Sequence, residues 1–600
     1  MKKMVFAAVS MVVTAVFAES VTVSTVDELV SELSACDGET PKTIILAEGD
    51  YQLTSAHQTT NGTYGISHLA IPKKVTLKGA GDSPEDVRII GDGETGRIMY
   101  LSSNSIVLDN LTLTNGVTVD AETVTNGKEE FRGAGLVGYG VITNCIIIGN
   151  HASGIGGAVA SSSRTTGMTM YNSLIINNSG TTCGGVYNAR CWDCTIAGNT
   201  ARTGEGGGAY SCTLVGGIVS NNVVEASKDG GGLYGCSATG TTITYNSAAS
   251  QKGGGAASGA YTNCAFIGNY AKYGGGVSRA RLYKCNIYNN MSTSHGGGLY
   301  GCIADNCTIW NNFAKGEGGG HCDGTNYFSV VSNNFSAGAG PNSYGTDLFD
   351  CQIIGMSVGD GSATRCVFRD IGYEQSLIGN PHYSTNQQSI YAYNYYPNAT
   401  NCLFIGNKLN GASSSLFCGV QGANKASSIV NCTVVSNTYN YLARYFRDQK
   451  YPILIQNTVF YDNFKYGGTP ARDVHIVTDP ENANRCAAGA LIFDHCAYKT
   501  KTSTLDLAEY ILDDSLYCFG EDGFGADPKF VLAKDAVHPY SLRLSSPLIG
   551  KGRVCDWMTG AYDIRGEEDD GKYLRVRDGK VDIGCYQCWL NPVGMTVVVR

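Results

Sequence analysis

Runs of glycine recur eight times between Gly156 and Gly320, and each follows an Asn at a nearly fixed distance. The last glycines of the runs are Gly157, Gly185, Gly208, Gly232, Gly255, Gly276, Gly298 and Gly320, spaced by 28, 23, 24, 23, 21, 22 and 22 residues. Asn150, Asn178, Asn199, Asn222, Asn246, Asn269, Asn290, Asn312 and Asn334 keep step with them. A period near 22 residues is the mark of a solenoid, in which one coil cannot bury its apolar face except against the coils on either side.

The residues ahead of each Asn alternate as a strand with one buried face must. Three positions before stand Ile147, Ile175, Ile196, Val219, Ile243, Phe266, Ile287, Ile309 and Val331, which predicts an inward aliphatic ladder. Five before stand Cys145, Ser173, Cys194, Gly217, Thr241, Cys264, Cys285, Cys307 and Ser329, a second inward row of small side chains. An Asn after the strand suits a turn, and stacked Asn amides can bond one another along an axis. The glycines allow a tight corner before the next short strand.

Coils such as Phe266-Ile267-Gly268-Asn269 followed by Gly274-Gly275-Gly276-Val277, and Phe404-Ile405-Gly406-Asn407, resemble the FxxN and GGxx repeats of polymorphic outer-membrane proteins. That resemblance implies an all-β, single-stranded right-handed parallel β-helix of the pectate-lyase-like superfamily. Ahead of the repeats, Thr25 to Glu28 forms a capping-box pattern before Leu29, Val30 and Leu33, predicting a short helix that plugs the open end. The expected division is a signal peptide at 1–18, an N-terminal cap with the first coils at 19–135, regular coils at 136–334, irregular coils with loop insertions at 335–500 and a C-terminal closing segment at 501–600. All of these belong to one continuous solenoid body.

Lys2 and Lys3 precede an apolar stretch from Met4 to Phe17, which reads as a secretory signal and is too short for a spanning helix. The expectation is a protein secreted to the extracellular space or the outer-membrane surface, without a transmembrane helix in the mature chain. The formal charge is −9, and removal of the two lysines makes it more negative. Such a balance argues against nucleic acid as partner. The 23 cysteines of an exported chain suggest some disulfides. Cys212 and Cys236 share the slot four past the glycines on adjacent coils, and with outward parity there they are expected to pair. Cys191 with Cys194, and Cys585 with Cys588, form two C-x-x-C pairs that lack the partner spacing of a zinc site, so no metal is expected.

Between Val141 and Asn334 there are seven carboxylates: Asp193, Glu205, Glu225, Asp229, Asp305, Glu317 and Asp323. Neither the paired-Asp motifs of the pectin-hydrolase relatives nor the Arg-x-Pro-x-x-Arg of the pectate lyases is present. Three before the last glycine come Glu205, Asp229 and Lys252, then Tyr273, His295 and Glu317. Adjacent coils bring equivalent residues roughly 4.8 Å apart, so Glu205 and Asp229 could share a Ca2+ or a proton, with Lys252 as base; a solvated turn row is the other reading. Tyr187, Tyr210 and Tyr234 follow the glycines on three successive coils, with Tyr300 further on, and Tyr245, Tyr288 and Trp310 stand just before the Asn track. These rings could stack the sugars of an extended glycan or simply stabilise the sheet. The sparse acids favour an adhesin-like protein that binds polysaccharide or a surface partner without turnover. The alternatives are a polysaccharide lyase or glycoside hydrolase, and a structural stalk.

Overall fold

Every coil is bent by residues held in the left-handed region, and the sequence supplies glycine, Asn or Asp at most of those corners. The computed structural model describes residues 19–118, 131–163, 165–338, 340–356, 358–372, 398–409, 415–418, 427–439, 441–444, 453–465, 491–498, 517–518, 528–530, 540–543, 545–565 and 574–588. The stretch read as a signal peptide lies outside them. The chain divides into two compact units, 1–223 and 224–600, and each is a right-handed parallel β-helix built from short strands.

The first unit opens with a strand at Glu19–Val23 and the helix α1 at Val26–Ser34. The expected cap forms in one half, Glu28 N donating to Thr25 Oγ1 at 3.2 Å, while the Glu28 carboxylate accepts from Ser24 N at 2.7 Å, one residue ahead of the N-cap Thr25. Leu29 and Leu33 of α1 are buried. Three parallel sheets follow. One runs through Val159–Ser161, Val186–Tyr187 and Ala209–Tyr210, continuing after a corner through Met168–Tyr171, Arg190–Trp192 and Thr213–Val215. The second stacks Ile146–Ile148, Leu174–Ile176, Thr195–Ala197 and Ile218–Ser220. The third stacks His151–Ile155, Ser179–Thr182 and Thr200–Ala201.

The second unit repeats the plan. Its second sheet carries Ile243, Phe266, Ile287, Ile309 and Val331 in register, all fully buried. The same column then continues through Ile353, Phe368, Phe404, Val434 and Phe460, past the point where the spacing becomes irregular. Fully burying one such side chain contributes about 1.5–3 kcal/mol. The neighbouring small row likewise extends through Cys351, Cys366, Cys402 and Cys432, all buried.

The Asn track is a hydrogen-bonded ladder inside each unit. Asn290 Nδ2 donates to Asn312 Oδ1 at 2.9 Å, to Phe266 O at 2.9 Å and to Tyr288 O at 3.0 Å, while its backbone N–H reaches the same Asn312 Oδ1 at 3.0 Å. Asn312 and Asn334 repeat the pattern, as do Asn178 and Asn199 in the first unit. A fully buried amide is thereby satisfied on both sides, and this is what permits a polar column within the coil. The glycines complete the fit. Gly296 has φ 66°, whereas a Cβ on Gly298 would stand 2.7 Å from Gly320 O and 3.0 Å from the Asn312 amide carbon. The first glycine of a run is needed for its dihedral and the last for the space beside the Asn ladder.

One expectation is corrected here. Cys212, in the first unit, and Cys236, in the second, point inward rather than outward, 0% and 1% exposed, each against a backbone carbonyl: Cys212 Sγ with Val186 O at 3.2 Å and Cys236 Sγ with Tyr234 O at 3.4 Å. The residue before each is left-handed, Ser211 at φ 53° and Gly235 at φ 60°. Such a residue inverts the in–out alternation, so parity counted along the chain fails at this corner.

In the second unit the C-terminal stretch packs across the outside of the coils. Met558 and Val581 cover Val430, and Cys585 and Tyr586 cover Leu403 and Val435. No helix among the described residues is long and apolar enough to cross a membrane.

Candidate active site

The second unit gathers acids, phenols and an imidazole along the coils from Tyr273 to Asp360. The strands Leu299–Tyr300, His321–Cys322 and Ser343–Tyr344 pair in parallel, which sets Tyr300, Cys322 and Tyr344 in one column. The column is bordered by Tyr273, His295 and Glu317, each immediately ahead of a glycine corner. Tyr273 stacks on His295 with centroids 5.8 Å apart and leans on Tyr300 at 5.3 Å. His295 Nδ1 accepts from Glu317 N at 3.1 Å and lies 3.7 Å from Glu317 Oε2. With Nδ1 accepting, the proton of the neutral ring is on Nε2.

Past the column, each chain turns at a left-handed residue: Arg279, Gly301, Asp323 and Gly345 on successive coils. Asp323 takes φ 55°, which Asp tolerates through local bonding of its side chain. Gly345 has φ 60°, and a Cβ placed on it would lie 2.6 Å from Asp323 Oδ1. The missing side chain thus leaves the space occupied by the Asp323 carboxylate. The next coil is short, since Thr346 pairs with Gly361 only fifteen positions on, and this register sets Asp360 above Gly345. Asp323 and Asp360 are therefore two strand spacings apart, roughly 9–10 Å at the backbone.

These groups perturb one another. Burial pushes the Glu317 carboxyl up, His295 opposes that rise, and the charges of Asp323 and Asp360 add to it; the Tyr344 hydroxyl donates a hydrogen bond to Glu317. Burial likewise raises Asp360. The Tyr344 phenol is pushed up to about 12, first by burial and then by Glu317 and Asp360. Tyr300 is raised by burial and by Asp323, with Arg279 opposing. A carboxyl raised by burial among other carboxylates is an arrangement that general acid and base chemistry uses. Arg279 and His295 are set among the three carboxylates, and Lys272 Nζ lies 5.3 Å from the centre of the Tyr273 ring.

The residues singled out from sequence fall as follows. Glu205 belongs to the first unit, and Asp229 with Lys252 to the second, where Asp229 Oδ1 accepts from the Lys252 backbone N–H at 3.1 Å. Tyr187 and Tyr210 form a tilted pair 5.6 Å apart with the Arg132 guanidinium 5.7 Å from the Tyr187 ring, and Tyr234 is half-buried on the second unit. Tyr288 and Trp310 stack at 4.7 Å and 13° on the outside of the second sheet. Tyr245 stands off that pair at a left-handed corner, φ 53° and 64% exposed. Among the described residues no group of three or more His, Cys, Asp and Glu is arranged to hold a metal ion.

Of the site itself, Tyr273, His295 and Glu317 were visible as a row and Tyr300 as an outlier of the tyrosine row. Tyr344, Gly345 and Asp360 were not, because the coil that carries Asp360 is shortened and the repeat count loses it. The signal available was that both acids precede a glycine, Asp323–Gly324 and Asp360–Gly361.

No family model matches the chain, and a search of curated proteins returns no match. Among solved structures, similarity is found to the A-module of a mannuronan C-5 epimerase from Azotobacter vinelandii, at 12% identity over 74% of this chain and 100% of that one, with a TM-score of 0.24. It is found also to the catalytic domain of a GH87 α-1,3-glucanase in complex with nigerose, at 12% identity over 77% and 68% of the two chains, TM-score 0.23. An alginate lyase from a Paenibacillus species gives 12% identity over 58% and 93%, TM-score 0.18. Scores this low leave substrate and chemistry to be read from this chain's own residues.

Proposed function

We propose that the protein cleaves a neutral polysaccharide by acid and base catalysis, as a glycoside hydrolase built on a parallel β-helix. The observation that carries this reading is the cluster of Glu317, Asp323 and Asp360 around the Tyr344 hydroxyl, with Glu317 raised by burial and held against His295. In this reading Glu317 donates a proton to the glycosidic oxygen, and Asp323 or Asp360, across the tyrosine column, activates the water. Tyr273 and Tyr300 supply the sugar-facing rings. The acid-rich surroundings speak for hydrolysis over elimination on a uronate, and the gathered carboxylates for turnover over binding alone. The FxxN and GGxx repeats and the leader-like segment at 1–18 support an exported protein, which N-terminal sequencing of the mature chain would test.

The decisive measurement is release of reducing ends from a panel of neutral glucans and mannans, with unsaturated products assayed in parallel. Glu317→Gln and Asp360→Asn should each lower kcat by about 10²–10⁴-fold while the variants stay folded. Glycan binding without release of either product by the natural protein would return the reading to a non-catalytic, adhesin-like binder. Unsaturated ends would make it a lyase.

A further inference from the structure

The second sheet of the same unit carries an aromatic ladder on its outside, and the ladder stops one rung short. The strands Ala265–Ile267, Asn286–Tyr288, Thr308–Trp310, Val330–Ser332 and Gln352–Ile354 pair in parallel, and none of their residues is charged. One outward column on them reads Ile267, Tyr288, Trp310, Ser332 and Ile354. Tyr288 and Trp310 stack at 4.7 Å and 13°, close to one strand spacing. The next rung is only a serine. The indole therefore has Tyr288 on one face, and its other face looks across Ser332 to Ile354, two strand spacings or roughly 9–10 Å away.

This slot is open to solvent. Trp310 is 38% exposed, Ser332 and Ile354 are half-buried, and Asn333 is exposed. Asn333 turns the corner after Ser332 at φ 49°, and a Cβ on Gly355 would collide with its Oδ1, so the carboxamide is laid over the coil of Ile354. Beyond Ile354 the column continues to Arg369, whose Nη1 lies 3.0 Å from Asp370 Oδ2. At the other end of the Ser332 strand, Phe328 holds the corner at φ 48° and is 58% exposed, where Lys284, Asn306 and Asp350 stand on other coils. The left-handed region strains a bulky side chain, and a ring mostly in water gains little packing to offset that. A strained aromatic kept at the surface beside an open indole marks this coil as a contact site.

We propose that the slot over Ser332 binds one unit of a neutral glycan, a pyranose ring taking the place of the missing rung against Trp310. A ring there lies one strand spacing from the indole, the distance at which Tyr288 already stacks on the opposite face. A pyranose offers C–H groups on its faces and hydroxyls around its rim, so it needs an apolar wall beside a polar edge. Trp310 and Ile354 are the walls, and the Ser332 hydroxyl and the Asn333 amide are the edge. The absence of charge on the five strands favours an uncharged sugar over a uronate. The site goes beyond the hydrolase reading and stands whether or not the acidic column turns glycan over.

The test is oxidative footprinting of Trp310 in the full-length natural protein, read by peptide mass, with cellotetraose, maltotetraose, laminaritetraose and mannotetraose as probes and tetragalacturonate as the charged control. At least one neutral probe should slow oxidation of Trp310, half-maximally at about 1 mM, and tetragalacturonate should not. Ser332→Tyr supplies the missing rung from the protein itself. Its ring should stack on Trp310 as Trp310 stacks on Tyr288, leaving the fold intact and raising the half-maximal concentration about tenfold or more. Unchanged oxidation of Trp310 with every neutral probe overturns the site, as does sugar protection that persists undiminished in Ser332→Tyr. Equal protection by tetragalacturonate overturns the assignment to neutral glycans. Because the readout is local to Trp310, absence of hydrolysis at the acidic column neither supports nor harms the slot.

Discussion

The coils from Asn246 to Asn334 and the short coil from Gly340 to Gly372 are built on the same inward column, yet they treat polar groups in opposite ways. In the regular coils each amide of the ladder satisfies the next, so the polar column is closed and chemically silent. In the short coil the ladder is interrupted: Asn334 bonds to Asn342 rather than to a residue of the repeat, and Asp360 comes into register with Asp323 across a glycine. A strict repeat must place equivalent residues one above another, which favours neutral, self-complementary side chains. Within the regular coils unlike titratable groups meet as neighbours of one row, as His295 meets Glu317, and the change of repeat adds Asp360 to them.

The largest effect is expected inside the regular column. Ile287 is fully buried between Phe266 and Ile309. Ile287→Asp would bury an unpaired charge there, at a cost of about 4 kcal/mol or more, and should abolish the cooperative melt. A soluble variant that melts normally would break the claim that the ladder holds the coils, and with it one side of the comparison.

A titration sharpens the same contrast. His321 replaces an aliphatic residue in the column that holds Leu299 and Ser343, is fully buried, and bonds Asn326 Oδ1 through Nδ1 at 2.8 Å. Burial lowers its pKa from 6.5 to about 4. The folded state therefore binds fewer protons than the unfolded chain between those values, so stability present above pH 6.5 is lost as pH falls towards 4. The full loss is about 3 kcal/mol. His321→Gln should flatten the fall of melting temperature across this range, and an unchanged acid limb would show that other groups set it.

Much of the scaffold was legible from sequence because it is written many times over: the Ile, Cys and Asn columns and the glycine corners each recur, and α1 follows from its cap. The inward parity of Cys212 was not legible, because Ser211 is left-handed and inverts the alternation. The site was half legible. Tyr273, His295 and Glu317 share a row at repeat spacing, but Tyr344 and Asp360 reach them through a shortened coil and a contact between coils, which no periodic count contains. The packing of the C-terminal stretch on the coils was invisible, since Asn457 meets Arg553 and Asn401 meets Tyr562 across 96 and 161 positions.

Gly345 tests whether the break in the repeat matters for function as well as for shape. Gly345→Ala puts a side chain at φ 60° and 2.6 Å from Asp323 Oδ1. The backbone term costs about 1 kcal/mol, while the clash displaces the Asp323 carboxylate. Hydrolysis should fall by about tenfold or more through kcat at a modest drop in melting temperature, because positioning is lost faster than stability. Full activity in Gly345→Ala would remove Asp323 from the reacting groups and leave Asp360 as the base.

The smallest effect on stability belongs to Glu317, and its sign is the informative part. The side chain is 35% exposed, so solvent screening limits the size of the effect. Burial raises its carboxyl despite His295. The folded state then binds more protons than the unfolded chain between the ordinary and the raised value, so stability falls as pH rises through that window. Gln cannot ionise. Glu317→Gln should therefore match the natural protein in acid and equal or exceed it at neutral pH, although its activity is lost. The alkaline limb of the natural enzyme's kcat profile should lie at the raised value, since the donor must be protonated to act. If scanning calorimetry instead finds Glu317→Gln less stable than the natural protein at neutral pH and equal to it in acid, the carboxylate is held as an anion by His295. The acid in the short-coil site would then have to be Asp360, which burial also raises.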